Sequence, residues 1–287
     1  MAGSSHAESK RFVNYRHAFH AGNFADLVKH ATLTRLLEAL LAIPAPLTIV
    51  DTHAGAGGYD LDGELSRRTG EAAQGIFRLM AADDAPAVFD PLKAAVRQGN
   101  PGGEVRFYPG SPSLIAGVLR AGDRYTACEL RDDDFELLRQ TLSGHSGAMA
   151  LQADGFATAR RAAGRDGRLF ALIDPPFERA DDYERIAETL NMVLALAPQA
   201  CVAVWLPLKD LEAFDAFLRQ VEPAARSLLI AEARLKPLVD PMKMNGCAMV
   251  IANAPAGMES DLEAICGWVA GNLGEAGGRA SVWSTQD

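Results

Sequence analysis

The chain has 287 residues, of which 48% are hydrophobic and 23% charged, enough to bury one large core or two smaller ones. No apolar run reaches the roughly 20 residues that a membrane-spanning helix needs, so we expect no membrane span. A formal net charge of −9 argues against a protein that coats nucleic acid nonspecifically, although it allows a nucleic-acid enzyme with a local basic face.

The cysteines are far apart in the chain and form no CxxC pair. This spacing argues against a zinc ribbon or a disulfide framework and favours a reducing, cytoplasmic location. His17 and His20 have an HxxH spacing, but no cysteine or acidic partner stands at ligand spacing, so we expect no metal site.

The first residues, 1–13, are mostly polar, and we expect them to form a disordered tail. Over 25–43 apolar residues recur at helical spacing, and two prolines at positions 44 and 46 end the pattern. The β-branched run 47–51 then predicts a short strand that leads into a glycine-rich loop.

Residues 60–103 differ in composition from the rest and are rich in Ala, Glu, Asp and Arg. They contain helical stretches near 71–82 and 89–98 and no convincing strand. Because such a segment is too short to bury much core alone, we expect an inserted helical subdomain over 58–103. The main domain would then consist of 14–57 and 104–287.

Strands and helices alternate in the second half of the chain. Apolar runs predict strands at 124–130, 148–153, 168–174 and 200–208, with helical patterns between most of them. Alternation of this kind predicts βαβ units and a mostly parallel sheet with helices on both faces. Two further runs, 226–235 and 246–255, have no helix between them and predict an antiparallel edge.

In an open α/β sheet, ligands bind beyond the carboxyl ends of the strands. The predicted strand ends are followed by VDTHAGAG, CELRDDD, QADGFA and IDPPF, and each carries an acid on or near the last strand residue. One such acid is unremarkable, but several around one crevice are typical of a site for a ligand with hydroxyl and amino donors. The crevice is therefore our candidate site.

The loop after the first strand contains Gly55 and Gly57, which allow a close backbone approach to a ligand, although a plain turn would also use them. The loop lacks the third glycine of a dinucleotide fingerprint, because Asp60 stands at that position. It also lacks the GK[ST] of a phosphate-binding P-loop. We expect it to contact a ligand other than a pyrophosphate.

Two acids after the second and third strands suggest a nucleoside. Glu129 could accept two hydrogen bonds from a ribose diol, the usual task of an acid at this place. Asp154 could accept from the exocyclic amine of an adenine, with Phe156 packing nearby. Each acid alone could equally be an ordinary exposed side chain.

The sequence Asp174-Pro175-Pro176-Phe177 is the most specific signal in the chain. Two prolines after a carboxylate form a rigid loop whose carbonyl groups are bare acceptors, since proline has no N–H. Phe177 follows where it could stack on a flat ring. The exocyclic amine of adenine or cytosine matches such a site, and a structural turn at the end of a buried strand is the alternative.

These motifs together resemble the RlmJ family, the 23S ribosomal RNA adenine-N6 methyltransferases. The resemblance covers residues 14–285 and is carried by NYRHAFHAGNFADLVKH (14–30), DTHAGAG, YPGSP, CEL, ADGF and IDPPF in matching order. Phe177 stands where relatives often carry tyrosine, which leaves stacking possible but removes a hydroxyl contact. The resemblance implies N6 methylation of the adenine numbered 2030 in the reference rRNA.

The resemblance also implies a Rossmann-like class I S-adenosylmethionine-dependent methyltransferase fold and a set of site residues. Asp174 would be the catalytic acceptor, assisted by the Pro175 carbonyl and by Phe177. Tyr15 and the neighbouring Arg16 would contact the RNA substrate, and Lys29, which would lie near the site, would also bind the substrate. Cofactor contacts, added to Gly55 and Gly57, would come from His30, His53, Ser111, Glu129, Asp154 and Gly155.

We therefore expect a monomeric cytoplasmic enzyme with S-adenosylmethionine as cofactor and 23S rRNA as partner. Two alternatives remain open: a DNA adenine-N6 methyltransferase, or a non-catalytic RNA-binding protein of ribosome assembly. Two stretches with an excess of basic residues, 1–45 and 157–170, could contact RNA, or they could be ordinary solvated faces.

Overall fold

The computed structural model describes residues 20–63, 69–209, 211–238 and 244–285. Its strands are β1 (Leu47–Asp51), β2 (Gly58–Asp60), β3 (Phe107–Pro109), β4 (Arg124–Cys128), β5 (Ala148–Leu151), β6 (Arg168–Ile173), β7 (Cys201–Leu208), β8 (Leu228–Arg234), β9 (Gly246–Ala252) and β10 (Arg279–Ser284). Its α-helices are α1 (Phe24–Leu41), α2 (Glu71–Gln74), α3 (Ile76–Ala81), α4 (Asp90–Gly99), α5 (Ser111–Ala116), α6 (Asp132–Thr141), α7 (Gly155–Ala163), α8 (Asp182–Leu196), α9 (Leu211–Val221) and α10 (Met258–Leu273). Short 3₁₀ turns lie at Ala87–Phe89 and Glu222–Ala224.

Eight strands form one sheet in the order β10-β8-β9-β7-β6-β1-β4-β5. The five strands from β7 to β5 are mutually parallel, whereas β9 runs antiparallel to both β7 and β8. The order proceeds outwards in both directions from β1, which leaves a crevice at the carboxyl ends of β1, β4 and β6. The expected Rossmann-like α/β fold with a mostly parallel sheet is confirmed.

Helices cover both faces of the sheet, and strand β6 illustrates how. Phe170 and Leu172 belong to the core on the face covered by α1 and α10, while Ala171 and Ile173 belong to the core beneath α7, α8 and α9. Side chains alternate between faces along a strand, so a strand covered on both sides is apolar throughout. This is why the run before Asp174 is continuous.

The C-terminal edge of the sheet differs from the prediction. Strands β8 and β9 are antiparallel neighbours as expected, but β10 pairs with β8 and forms the edge. The preceding residues form α10, whose side chains Leu262, Ile265 and Val269 are buried. Sequence patterns assigned no element to this region, because the edge strand is mostly exposed and lacks a clear apolar alternation.

The inserted segment contains helices α2, α3 and α4, close to the predicted helical stretches. Strand β2 at its start pairs with β3 just beyond its end, a contact that sequence analysis did not predict. The amide of Ile76 donates to the Gly22 carbonyl at 2.8 Å, which attaches the insertion to the residues before α1. Leu79, Leu92 and Val96 share one buried core with α1.

Helix α1 carries two of the predicted site residues, Lys29 and His30. It is buried along most of its length. Its N-cap is Asn23, whose Oδ1 accepts from the amides of Ala25 and Asp26 at 2.9 and 3.0 Å. Near its other end Arg168 donates to the Leu40 carbonyl at 2.7 Å. That arginine, one of the basic residues in 157–170, therefore caps α1 at the end of the sheet opposite the candidate site.

Candidate active site

A cavity of about 220 Å³ lies at the carboxyl ends of the parallel strands. The loops after β1, β4, β5 and β6 contribute to its wall, and α1 closes one side. Most of the predicted site residues line it. These are Lys29, His30, His53, Gly55, Ser111, Glu129, Asp154, Gly155, Asp174 and Pro175.

Glu129 is held by the backbone on three sides. Its Oε1 accepts from the amides of Leu130 and Arg131 at 2.7 and 2.8 Å, and its Oε2 accepts from the amide of Gly55 at 3.1 Å. Burial raises the pKa of this carboxyl, and the backbone donors oppose the rise. A carboxylate has about four acceptor positions. Three backbone donors occupy most of these positions on Glu129, and its predicted hydrogen bonds to a ribose diol stay a prediction.

The two glycines of the loop after β1 have different roles. Gly55 has φ +63°, and a Cβ there would collide with the Tyr59 hydroxyl on the cavity wall. Gly57 has φ +87° and packs against Thr141, 2.7 Å from where a Cβ would lie, while its carbonyl accepts from Gly110 at 2.9 Å. Gly57 does not line the cavity, so the structure explains it by packing rather than by the predicted cofactor contact.

Asp154 is the N-cap of α7. Its Oδ1 accepts from the Ala157 amide at 3.0 Å, and its Oδ2 accepts from the Arg185 guanidinium at 3.0 Å. Burial favours a higher pKa, but the Ala157 N–H and the nearby cations outweigh it, so the pKa lies below its ordinary value. Asp154 is thus an ionised, oriented acceptor. The following Gly155 has no room for a Cβ, because the Thr52 carbonyl occupies that space.

Two aromatic rings and one cation lie together beside Asp154. The His53 ring meets the buried Phe156 ring edge-on with centroids 4.8 Å apart, and the Arg185 guanidinium carbon lies 4.6 Å from the Phe156 centroid. Burial lowers the pKa of His53 to about 4, so its imidazole is neutral at pH 7. Sequence analysis missed Arg185, because nothing in its local pattern distinguishes it from an exposed helical arginine.

Asp51 is a buried carboxylate behind the cavity wall. Its Oδ2 accepts from the Ser111 hydroxyl at 2.7 Å and from the Tyr125 hydroxyl at 3.2 Å, while its buried Oδ1 has no hydrogen-bond partner among the described residues. Burial raises its pKa to about 6. An acid as the last residue of a buried strand was the available signal, but the sequence did not show its partners.

Lys29 reaches from α1 to the loop after β6. Its Nζ lies 2.6 Å from Asp174 Oδ2 and 3.0 Å from Asp26 Oδ1, and the lysine is only 6% exposed. The next residue on α1, His30, is also buried, and its Nδ1 is 2.7 Å from the Tyr108 hydroxyl. Lys29 therefore lies at the site, as predicted, where it forms an ion pair with Asp174.

Phe177 does not face the cavity. Its ring packs against Tyr183 and Trp205, with centroids 5.6 Å away in each case. The residue has φ +51°, a left-handed conformation that costs a non-glycine residue about 1 kcal/mol or more. In the structure the Phe177 ring therefore packs against other aromatic rings. The predicted stacking of this ring on the target base stays a prediction.

Other predicted residues lie at or beyond the edge of the described chain. Tyr15, Arg16 and His17 are outside the described residues. His20 is described, and its Nδ1 bonds with Glu71 Oε1 of the insertion at 2.9 Å, a contact that raises its pKa. Within the described ranges no group of three or more His, Cys, Asp or Glu side chains could hold a metal ion. No described helix is long and apolar enough to span a membrane.

Comparisons with known proteins agree on one family. Residues 44–285 match the family model described as Ribosomal RNA large subunit methyltransferase D, RlmJ. Two proteins named Ribosomal RNA large subunit methyltransferase J are similar to the chain. The Escherichia coli (strain K12) protein is 33% identical over 94% of this chain and 98% of its own length. The Haemophilus influenzae protein is 31% identical over 88% and 91%, respectively.

A solved structure has the same fold over nearly the whole chain. It is a crystal structure of a protein from Legionella pneumophila, with a TM-score of 0.86 and 27% sequence identity. The similarity covers 92% of this chain and 98% of that protein.

Proposed function

The chain belongs to the RlmJ family of ribosomal RNA large subunit methyltransferases, and from this membership we propose that it methylates the exocyclic N6 amine of an adenine in 23S rRNA. The family and the fold imply S-adenosylmethionine as methyl donor. The observation that carries the choice of an exocyclic amine is the position of Asp174 and Pro175, two adjacent acceptors on the wall of one cavity.

The residues around the cavity fit S-adenosylmethionine, which carries two cationic groups and an adenosine. Acidic side chains outnumber cationic ones on its wall, with Glu129, Asp134, Asp154, Asp174 and Glu178 against Lys29, Arg131 and Arg185. Behind the wall, Asp51 Oδ1 has no hydrogen-bond partner among the described residues and adds local negative charge. When bound, S-adenosylmethionine supplies an electrophilic methyl group.

We assign the adenosine to the end of the cavity formed by the loops after β4 and β5. Glu129 would accept from a ribose hydroxyl with its remaining acceptor position, and Asp154 would accept from the adenine amine beside Phe156. Ser111 and neutral His53 would contact the methionine and ribose portions, and His30 would complete the wall from α1. Gly55 and Gly155 allow the close approach that these contacts need.

Asp174 and the Pro175 carbonyl would hold the target amine. The lone pair of adenine N6 is conjugated with the ring, so the nitrogen is a weak nucleophile. Two acceptors on its N–H groups draw it toward tetrahedral geometry and fix the direction of its lone pair, so positioning and preorganised electrostatics supply most of the acceleration. When N6 takes the methyl group and the sulfur–methyl bond breaks, the nitrogen would become cationic and strongly acidic, so its proton would leave without a strong base.

Lys29 would act on this step through Asp174. Because its Nζ already occupies one acceptor position of Asp174 Oδ2, the other oxygen, Oδ1, has more acceptor capacity left for the substrate. The ammonium also holds the carboxylate in one orientation. The earlier assignment of Lys29 as a direct substrate contact thus becomes, in this proposal, a positioning role.

The target adenine must be unstacked to enter the cavity, which costs least in a single strand or a loop of the RNA. We propose that Tyr15 and Arg16, in the segment before α1, contact that RNA. We also retain the division of the chain into a tail (1–13), a methyltransferase domain (14–57 and 104–287) and an inserted helical subdomain (58–103).

The test is methyl transfer by the purified protein to unmodified 23S rRNA, with the product nucleoside identified by mass spectrometry. We expect N6-methyladenosine in RNA, none in a duplex DNA control, and none with Asp174→Ala. Methylation of DNA alone would favour the DNA enzyme. Binding of rRNA without any methyl transfer would favour a non-catalytic assembly protein.

A further inference from the structure

Arg185 contacts the residues to which we assign the adenine of S-adenosylmethionine. It lies in the first turn of α8 and lines the cavity. One terminal nitrogen donates to Asp154 Oδ2 at 3.0 Å, while the guanidinium carbon is 4.6 Å from the centroid of Phe156. One side chain thus contacts both an acceptor at the end of the loop after β5 and an aromatic ring in the first turn of α7.

These contacts restrain Asp154 more than a single surface ion pair would. An exposed pair is worth little because both side chains keep their freedom. Here the second oxygen of Asp154 is bonded to the Ala157 amide at 3.0 Å, and the guanidinium is placed over the ring of Phe156, which is 1% exposed. Both carboxylate oxygens are therefore oriented, and each still has an acceptor position left.

We infer that Arg185 determines how the cavity selects an adenine, by holding the Asp154 carboxylate in one orientation, directed at the purine amine. A fixed carboxylate accepts hydrogen bonds and cannot donate them, so it favours an amine at C6 of the purine over a carbonyl oxygen. This inference rests on the proposed cofactor and adds to it a positioning residue from a different element of the fold.

An alternative role for Arg185, with the opposite effect on cofactor affinity, is to obstruct the site. In that case the guanidinium would compete with the purine amine for Asp154, and its removal would strengthen binding. A third role, direct contact between Arg185 and the purine, would favour a carbonyl at C6, because arginine donates and cannot accept. The three roles predict different changes in affinity and in selectivity.

The experiment measures calorimetric affinities for two ligands, S-adenosylhomocysteine and its inosine analogue, in which a carbonyl replaces the adenine amine. The variants are Arg185→Ala, Arg185→Gln and Arg185→Lys. Arg179→Ala is the matched control, because Arg179 pairs with Asp181 at 2.8 Å on the exposed surface and does not line the cavity. Circular dichroism checks that each variant is folded.

We expect Arg185→Ala to weaken S-adenosylhomocysteine binding about tenfold. The ratio of its affinities for S-adenosylhomocysteine and for the inosine analogue should fall. Arg185→Gln should behave like Arg185→Ala and serves in its place if the alanine variant does not fold. Arg185→Lys should restore part of the affinity, since it keeps the charge but not the planar fork. In turnover assays the KM for S-adenosylmethionine should rise while kcat at saturation changes less than about twofold.

Unchanged or tighter binding of S-adenosylhomocysteine in both neutral variants would overturn the inference. An equal loss of affinity for both ligands would also overturn it, because it would indicate a general structural effect. An increased preference for S-adenosylhomocysteine over the inosine analogue would overturn it as well. If the unmodified protein binds neither S-adenosylhomocysteine nor S-adenosylmethionine, the proposed cofactor fails, and the inference about Arg185 fails with it.

Discussion

The Nζ atom of Lys29 and the Oδ2 atom of Asp174 are 2.6 Å apart, although the two residues are 145 positions apart in the chain. The lysine is almost completely buried, and its other carboxylate partner, Asp26, is buried as well. This pair joins the first helix to the loop after β6. It fixes one oxygen of the proposed acceptor and leaves the other with more acceptor capacity for the substrate.

Replacing Asp174 separates its catalytic role from a structural one. We expect Asp174→Asn to remain folded, to bind S-adenosylhomocysteine within about threefold of the unmodified protein, and to lose methyl transfer by about a hundredfold or more, which corresponds to roughly 2.7 kcal/mol in the transition state. Single-turnover rates and calorimetry measure the two effects. A folded Asp174→Asn protein with a normal rate would contradict the proposed mechanism.

Removing Lys29 should lower the free energy of unfolding. Lys29→Met leaves two carboxylates in a nearly dry site without their cation, and breaking a buried pair in this way costs about 3–5 kcal/mol. Lys93→Met is the control, because Lys93 is also buried but, among the described residues, donates to the Ala82 carbonyl at 3.0 Å and not to a carboxylate. Urea denaturation should show a clearly smaller loss for the control. Equal losses would mean that the carboxylates near Lys29 matter little.

Glu129→Ala should weaken cofactor binding. Losing a charge-assisted hydrogen bond to a ribose hydroxyl costs about 1.5–3 kcal/mol, and the Gly55 amide also loses its acceptor. Glu136→Ala is the control, since Glu136 lies on the exposed side of α6 and pairs with Arg139. Calorimetry with S-adenosylhomocysteine distinguishes the two variants. Unaltered affinity in Glu129→Ala would remove this residue from the site.

The variant Gly155→Ala tests whether the fold depends on the close approach of α7 to the loop after β1. A Cβ at Gly155 would overlap the Thr52 carbonyl, and the backbone cannot move away without disturbing β1. We expect Gly155→Ala to destabilise the protein by about 2 kcal/mol or more. Gly267→Ala, at an exposed position of α10 with open space around it, should instead stabilise by about 0.5–1 kcal/mol. Thermal unfolding of both variants provides the measurement.

Asp51 should make stability fall as the pH rises. Its folded-state pKa of about 6 lies above the ordinary value near 3.8, so the folded protein binds the proton more strongly than the unfolded chain. The resulting stabilisation is present below about pH 4 and is lost as the pH rises to 6, by about 3 kcal/mol in total. Asp51→Asn should remove this dependence. Unfolding of both proteins in urea between pH 4.5 and 7.5 measures the difference.

Several features follow from local sequence alone. The apolar run of β6 predicts a strand covered on both faces, and Asp-Pro-Pro favours its end because two successive prolines have no N–H to donate to a neighbouring strand. The glycine-rich loop after β1 and the acids after β4 and β5 were predicted at the cavity for a similar reason. Parallel strands bring their carboxyl ends to one edge, so residues after different strands meet there.

Tertiary packing decided the rest. The sequence contains Lys29, Asp51 and Arg185, but it does not show that they meet Asp174, Ser111 and Asp154, because each contact joins segments that only the packed sheet and helices bring together. Local propensity could not reveal that Phe177 turns away from the cavity into an aromatic cluster, or that the exposed β10 completes the sheet. Chain-local patterns determine which elements form and which strand ends carry acids. Long-range packing determines which charges are paired and buried, and hence which carboxylate oxygens remain for ligands.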